Sequence, residues 1–478
     1  MSEAEKKTGS GSAFFVCFMA ALAGLLLGID VGIIAQAKVF IKQDFNLSDT
    51  MISWVVGSMM GGAAIGAIGA GFLTKTLGRK KSLFISATMF LAGALGCAAA
   101  WGGFSLIFFR LILGLSIGIA SFTAPLYLSE VAPKSIRGTM ITMYQLLITI
   151  GILSAFLSNS FIRAYTFTGE EGQIAGEYFF QSITISWRVM LGITVIPATI
   201  FLVGVILLPE SPRWLIAKGR HEQALAVLRK NRKTEKEAQD EAQEIRDTVS
   251  GSKPQNGFKF FLGNKNFRRT VFLGVALQLM QQLTGLNVVM YYGPELIKQA
   301  GFTSPLASDI GTILFGLTNV LATFIAITFV DKWGRKPILI AGYILMALSM
   351  TLVALFMYLE WRISAVACIL VFIISFAFSA GPIVWVICSE IQPIDGRDFG
   401  ITCSTGANWI SNMMIAATFL MLLEILGSTA TMLIYAGFSL ISIFVIYLFV
   451  PETKGISLEH LEKNLMKGVK LRDLGKNL

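Results

Sequence analysis

Polar signatures that occur twice, about 250 residues apart and each time between long apolar runs, constrain this chain more than any other feature. Leu77-Gly78-Arg79-Lys80-Lys81 returns as Trp333-Gly334-Arg335-Lys336-Pro337. Ser129-Glu130-Val131-Ala132-Pro133, ending at Arg137-Gly138, returns as Ser389-Glu390-Ile391-Gln392-Pro393, ending at Gly396-Arg397. Pro209-Glu210-Ser211 returns as Pro451-Glu452-Thr453. A motif that closes one half and recurs where the second half closes reads as a duplicated membrane unit. Duplicated halves that rock about a shared central site are a common architecture for moving solutes across a bilayer.

Composition sets the medium. Hydrophobic residues are 54% of the chain and charged residues 14%, which excludes an ordinary soluble domain. A helix needs about 20 apolar residues to cross about 30 Å of hydrocarbon. Such runs fall at roughly 14–38, 51–73, 82–101, 105–128, 139–161, 187–208, 270–298, 309–330, 338–358, 364–387, 398–424 and 430–450. The expected fold is therefore an all-α membrane protein with twelve transmembrane helices in two pseudo-symmetric six-helix halves. Residues 1–208 form the first half and 270–450 the second. A polar cytoplasmic linker at 209–269 carries short amphipathic helices, and 451–478 is a cytoplasmic tail. The first run is too long for a removable signal peptide and lacks a cleavage pattern.

Most of the 39 Lys and Arg residues lie in the termini, the linker and the other segments on their side of the spans. By the positive-inside rule both termini are cytoplasmic, the membrane being a bacterial inner membrane. The +10 net charge then faces an anionic lipid surface and calls for no nucleic-acid partner. Cys17, Cys97, Cys368, Cys388 and Cys403 lie within spans or at their inner ends without metal-ligand spacing, and His221 and His460 lie in cytoplasmic segments. No metal site, cofactor or enzyme active site is expected.

Charges inside hydrocarbon are costly and each needs a reason. Arg188 and Glu424 lie near outer span ends, within reach of the interface. Asp30 lies mid-span within Gly28-Ile29-Asp30-Val31-Gly32, and Arg110 begins the fourth run. Pairing across the bundle would relieve both, either as a structural ion pair or as a proton-carrying carboxyl beside a movable guanidinium. Amides form a second set. Gln278, Gln281 and Gln282 share one face of the seventh run, Gly285 loosens it, and Asn287 follows. Thr142, Gln145 and Thr149 make a stripe on the fifth run, Asn319 lies in the eighth, and Asn408 and Asn412 lie one turn apart in the eleventh. Amides facing lipid would be poorly satisfied, so they are expected to face the interior. There they act either as interhelical glue or as donors and acceptors for an uncharged polyhydroxylated ligand. Trp385 and Trp409 add flat faces suited to the CH side of a pyranose.

These residues resemble the sugar porter family of the major facilitator superfamily through essentially the whole chain. The resemblance rests on Gly78-Arg79-Lys80, Glu130 to Arg137, Pro209-Glu210-Ser211-Pro212-Arg213, Gln281-Gln282-Leu283-Thr284-Gly285-Leu286-Asn287, Gly334-Arg335-Lys336 and Pro451-Glu452-Thr453-Lys454-Gly455. Ala124 to Glu130, Gly381 to Trp385 and Cys388 to Pro393 look most like the family's bacterial galactose:proton and arabinose:proton branch. The resemblance implies the major facilitator fold and sugar contacts at Gln145, Gln281, Gln282, Asn287, Tyr291, Asn319, Trp385, Asn408 and Trp409. It implies a proton site at Asp30 with Arg110. It also implies a cytoplasmic gate of Glu130 with Arg137, Asp331 with Arg335, and Glu390 with Arg397, with Arg79 in the first inner motif.

Four features depart from the family pattern. Leu27 stands where many symporters have Phe, and Ala377 where animal glucose carriers have Glu. Gln36 and Lys38 replace small and apolar residues near the outer end of the first helix. Thr74-Lys75 lacks the Asp of the inner motif. The expected activity is import of a monosaccharide, a hexose such as galactose or glucose, with protons, by alternating access in a monomer. A facilitative uniporter with the same site and a non-transporting sugar sensor are the competing readings. A drug antiporter would call for an apolar pocket in place of the amides.

Overall fold

The computed structural model describes residues 3–133, 137–166, 179–180, 182–232, 234–251, 257–454, 456 and 458–476. Side chains are described for all of these except 3–13, 137–139, 141–142, 248–251, 305, 326–332, 394 and 458–459. Eleven helices are long and apolar enough to cross a membrane. We number them as spans 1 to 10: Phe14–Asp44, Asp49–Leu77, Arg79–Ala98, Gly103–Val131, Met143–Ala164, Ile183–Leu207, Lys265–Tyr291, Leu306–Ile325, Arg335–Tyr358 and Arg362–Glu390; the last helix is Arg397–Phe449. That last helix has 53 residues, well over twice the length one crossing needs. Gly427, at φ 75° and ψ 170°, is non-helical and folds it into spans 11 and 12. The total is twelve spans, as the apolar runs require.

Lipid-facing and core-facing sides separate along each span. Phe72, Ile196, Phe272, Leu348 and Ile441 leave large apolar side chains exposed, which only a hydrocarbon solvent tolerates on this scale. Trp54, Trp101, Tyr358 and Trp361 are exposed at the span ends opposite the basic segments, where amphipathic rings favour the membrane–water boundary. Inside the first half, span 1 packs on span 5 and span 2 on span 4. The halves meet along spans 2 and 11 and along spans 5 and 8. Close approach is enforced by missing side chains: a Cβ at Gly28 would lie 1.9 Å from the Ile148 carbonyl oxygen.

The duplicated motifs fold into one device built twice. Gly78 (φ +96°) and Gly334 (φ +90°) turn the chain sharply into spans 3 and 9. Their left-handed backbone suits glycine alone, and a Cβ would also strike the carboxylate of Glu210 or Glu452 at 2.3 or 2.7 Å. Those carboxylates cap the new helices. Glu210 accepts the backbone N–H groups of Arg79 (2.8 Å) and Lys80 (3.1 Å), and Glu452 those of Arg335 and Lys336 (both 3.0 Å). In return Lys80 donates to the Ile206 carbonyl at the end of span 6, and Lys336 to the Tyr447 carbonyl at the end of span 12. Negative charge sits at helix starts and positive charge at helix ends, as the helix dipole favours.

The linker forms short helices at Pro212–Ala217, His221–Asn231 and Glu235–Gly251. Trp214, Leu215, Ile216, Ala224 and Ile245 make its small apolar cluster. Arg232, buried and paired with Glu241, donates to the Val131 carbonyl at 3.0 Å and so ties the linker to the end of span 4. The tail helix Leu458–Met466 docks at the start of span 7, where Asn266 donates to the Met466 carbonyl and Arg269 to that of Val469.

Losing either cap should destabilise the protein measurably. Glu210→Ala or Glu452→Ala is expected to cost about 1–2 kcal/mol, the range of a lost charged N-cap, read as a lower unfolding temperature in detergent.

Candidate functional site

Span 7 does not run through as one helix. Its first segment ends at Leu283, Gly285 takes the left-handed conformation (φ +91°), and Leu286–Tyr291 and Gly293–Gln299 follow as separate short helices. A Cβ on Gly285 would meet the Tyr435 ring at 2.9 Å, so span 12 presses on the break. Span 10 is interrupted as well, between Phe378 and Ala380. Of the amides predicted to face the interior, Gln278, Gln281, Gln282 and Asn287 flank the break in span 7, and Asn408 lies on span 11.

They form a continuous ladder. Asn287 donates to Gln282 Oε1 (2.6 Å) across the break in span 7, and Gln282 Nε2 donates to Asn408 Oδ1 (3.0 Å). Asn408 Nδ2 donates to both Gln278 Oε1 (2.6 Å) and Gln281 Oε1 (2.8 Å). Gln281 Nε2 then donates to the carbonyls of Ala380 (2.7 Å) and Gly381 (3.1 Å), beside the break in span 10. One turn along span 11, Asn412 Nδ2 donates to the Tyr291 hydroxyl at 3.2 Å, and Trp409 Nε1 crosses to the other half to reach Ser121 Oγ at 3.2 Å. Gln278 Nε2 and Asn412 Oδ1 are buried without a hydrogen-bond partner in the protein. A buried polar atom left open is costly, so these atoms mark positions where a polar ligand group would be welcome.

The structure thus brings Gln281, Gln282, Asn287, Asn408, Trp409 and Tyr291 together. Gln145 and Trp385 are half-buried on spans 5 and 10, and Asn319 is buried on span 8. Gln278 and Asn412 were read from the sequence only as members of amide stripes; Gln278 proves to be a rung of the ladder, and Asn412 bonds Tyr291 beside it. Ser121 had no signal in the sequence, because its role depends on which residue of span 11 reaches it.

The intramembrane charges meet. Asp30 and Arg110 are 2% and 0% exposed, and both guanidinium NH groups stand 3.4 Å from the carboxylate oxygens. Arg110 Nε donates to the Val55 carbonyl at 2.8 Å, so spans 1, 2 and 4 converge on one ion pair. Span 1 is further fixed to span 5 by Asn159, which donates to the carbonyls of Gly32 and Ile33. Arg188 does not turn to the interface as its position suggested. It donates to the carbonyls of Ala98 (2.8 Å) and Ala100 (2.7 Å), capping span 3, and stacks on Trp187.

At the inner ends each glutamate meets the arginine that follows a turn glycine. Glu130 is held by Arg79 in a bidentate bridge (2.7 and 2.8 Å) and accepts from the Ser211 hydroxyl. Arg79 also donates to the Thr74 carbonyl at 3.3 Å, so the missing Asp of this motif is replaced by backbone. Arg335 stands 3.8 Å from Glu390. These two links lie within each half and repeat with the duplication, because the arginine after each turn glycine faces the glutamate ending the next span. The Arg137 and Asp331 side chains, assigned to the gate, lie outside the described residues. Arg397 is described, at the start of the helix that becomes span 11.

The profile described as Sugar (and other) transporter matches residues 16–465. The chain belongs to that family. It is 51% identical over 482 residues to the galactose-proton symporter of Escherichia coli (strain K12), with 99% of each chain covered. It is 45% identical over 471 residues to the arabinose-proton symporter of the same strain, covering 96% of this chain and 95% of that one. Among solved structures it is similar to the major facilitator proton:xylose symporter XylE bound to 6-bromo-6-deoxy-D-glucose, with TM-score 0.81, 30% identity, and 98% and 99% of the two chains covered. The inward open conformation of XylE from E. coli gives a TM-score of 0.77, covering 94% and 99%. The protein is therefore a multi-pass membrane transporter of the major facilitator fold and not an enzyme.

Asn408 is the hub of the ladder, bonded to three glutamines. Asn408→Leu would leave Gln278, Gln281 and Gln282 each one partner short. The expected loss is about 1–3 kcal/mol of stability, whereas Asn408→Gln should lose less; thermal unfolding in detergent compares them.

Proposed function

We propose that this protein is a proton-coupled symporter that imports a monosaccharide, a hexose such as galactose or glucose, by alternating access of a site between the two halves. The relatives named as galactose-proton and arabinose-proton symporters support the class of solute and of coupling ion. Asp30 carries the coupling part of the reading. It is the one buried carboxylate at the middle of span 1, and its partner Arg110 belongs to another helix. Burial and a nearby guanidinium act on a carboxyl in opposite directions. Movement of Arg110 relative to Asp30 would therefore switch the group between holding and releasing a proton.

The amide ladder is the sugar-binding surface in this reading. Gln281, Gln282, Asn287 and Asn408 offer paired donors and acceptors to vicinal hydroxyls, Trp409 and Trp385 offer flat apolar faces, and Gln145 and Asn319 approach from spans 5 and 8. Rungs that bond one another without sugar exchange those bonds for sugar hydroxyls on binding. The exchange favours a fully hydroxylated ligand over a deoxy analogue, which would leave an amide unpaired. The Glu130, Arg79, Glu390 and Arg335 clusters, with Arg137, Asp331 and Arg397, would close the cytoplasmic side. We place both termini in the cytoplasm of a bacterium, the chain in its inner membrane, and a single chain as the working unit. One proton moving down a 100 mV potential contributes about 2.3 kcal/mol, about fiftyfold accumulation.

Three experiments test this. Reconstituted protein is given labelled galactose, glucose, xylose or arabinose with and without an imposed pH gradient. Gradient-independent exchange without accumulation would favour the uniporter reading. In Asp30→Asn, sugar binding and exchange are expected to persist while sugar-dependent proton uptake and accumulation vanish. Accumulation by that variant at matched protein levels would move the proton site elsewhere. Gln282→Ala is expected to weaken sugar binding about threefold to tenfold, the cost of one lost hydrogen bond, measured by equilibrium binding; unchanged affinity would remove the ladder from the site.

A further inference from the structure

Gln36 and Lys38, the two departures near the outer end of span 1, take no part in the sugar or proton sites described above. Both are nonetheless buried, at 4% and 3% exposure. A lysine ammonium has three donors and no acceptor, and burying it requires that each be answered. Among the described residues, every partner of Lys38 belongs to the other half. Its Nζ forms an ion pair with Glu295 at 2.9 Å, donates to the Tyr291 carbonyl at 3.0 Å, and lies 3.9 Å from the centre of the Tyr292 ring. These partners lie where Leu286–Tyr291 gives way to Gly293–Gln299. Lys38 therefore grips the outer, broken part of span 7 at its second joint.

Gln36 reaches a different element of the same half. Its Nε2 donates to Asp309 Oδ1 at 3.0 Å and to the Thr312 hydroxyl at 3.4 Å, both in the outer end of span 8. Arg163, at the outer end of span 5, meets the same Asp309 oxygen at 3.1 Å. Two ion pairs, Lys38–Glu295 and Arg163–Asp309, thus join the halves on the outer side, and Gln36 ties the second pair to span 1. Helix geometry makes this possible: positions 36 and 38 point to different sides of span 1, so one helix end engages spans 7 and 8 together.

We infer that Gln36, Lys38 and Arg163 form a polar latch across the outer mouth, closing on Glu295 and Asp309, which must break before the central site can open outward. The inference rests on the alternating-access reading. Tyr291 gives the latch its link to the site: its carbonyl is held by Lys38 while its hydroxyl accepts from Asn412 beside the amide ladder. Releasing Lys38 frees the residue that covers the ladder from outside. When the mouth opens, water replaces the partners on both sides, so the bonds that favour the closed state in a dry interface lose most of their advantage once wet. These residues position the mouth and do not touch the sugar.

The test reads opening directly and needs no sugar, so its failure is distinct from failure of the transport reading. A cysteine is introduced as Leu27→Cys, at a half-buried position of span 1 on the inner side of the latch, and its modification by a membrane-impermeant maleimide from the outer side is timed against the parent chain. Lys38→Met and Glu295→Gln are each expected to speed labelling roughly fivefold, the weight of one ion pair. Lys38→Arg, which keeps the positive charge and the donors, is expected to return it toward the unaltered rate, which a loss of general packing would not do. Gln36→Ala, which removes no charge, is expected to speed labelling about twofold and gives a reading where a Lys38 variant does not fold. Unchanged labelling in Gln36→Ala and in the charge-neutralised variants, or a Lys38→Arg variant that labels as fast as Lys38→Met, would overturn the latch.

Discussion

A helix that breaks inside hydrocarbon must find partners for every amide it exposes, because no water is at hand to supply them. Span 7 breaks at Gly285 and again near Tyr292, and most of what distinguishes this protein from a plain bundle follows from those breaks. Gln282 and Asn287 bridge the first, Asn408 collects the glutamines before it, and Gln281 donates to the Ala380 and Gly381 carbonyls beside the break in span 10. Lys38 answers the second, through the Tyr291 carbonyl and Glu295. The same bonds that make the breaks tolerable create a polar surface deep in the membrane, and a polar surface there is what a hydrophilic solute needs.

Charge is handled by the same logic. Asp30 and Arg110 share one buried pair, and Arg110 is also anchored to span 2 through the Val55 carbonyl. A buried pair of this kind is weak evidence for stability, since desolvation offsets much of the attraction. The proposed proton-coupling role is the one that needs an ionisable group in the interior. Arg188 shows the contrast: it lies near a span end, holds the carbonyls of Ala98 at the end of span 3 and of Ala100 just beyond it, and is accounted for by structure alone.

Duplication supplies the rigid parts. Glu210 and Glu452 cap spans 3 and 9 in the same way, and Lys80 and Lys336 close spans 6 and 12 in the same way. Each half is thereby tied together, on the side of the basic segments, by its own bonds. The outer ion pairs run between the halves instead, as does the Trp409–Ser121 hydrogen bond, and the halves also meet along spans 2 and 11 and along spans 5 and 8. Rigid halves with a breakable contact between them are the physical requirement for rocking motion.

The chain's sequence by itself determined the twelve spans, the two halves and the identity of the buried polar set. Those properties are local: a run of apolar residues answers to the bilayer wherever it sits, and a glycine before Arg-Lys turns the chain regardless of what it meets later. The sequence also contained Gly285 as a loosening point and Asp30 and Arg110 as charges needing relief. Partner choice was decided only by tertiary structure. Glu130 goes to Arg79, Arg188 to the end of span 3, Trp409 to Ser121, and Lys38 to a helix about 250 residues away. Each of those choices depends on how helices are rotated and how far they slide against one another, and one-dimensional spacing carries no record of that. Gln36 and Lys38 were visible as oddities in the sequence, but only the packing of span 1 on spans 7 and 8 shows what they hold.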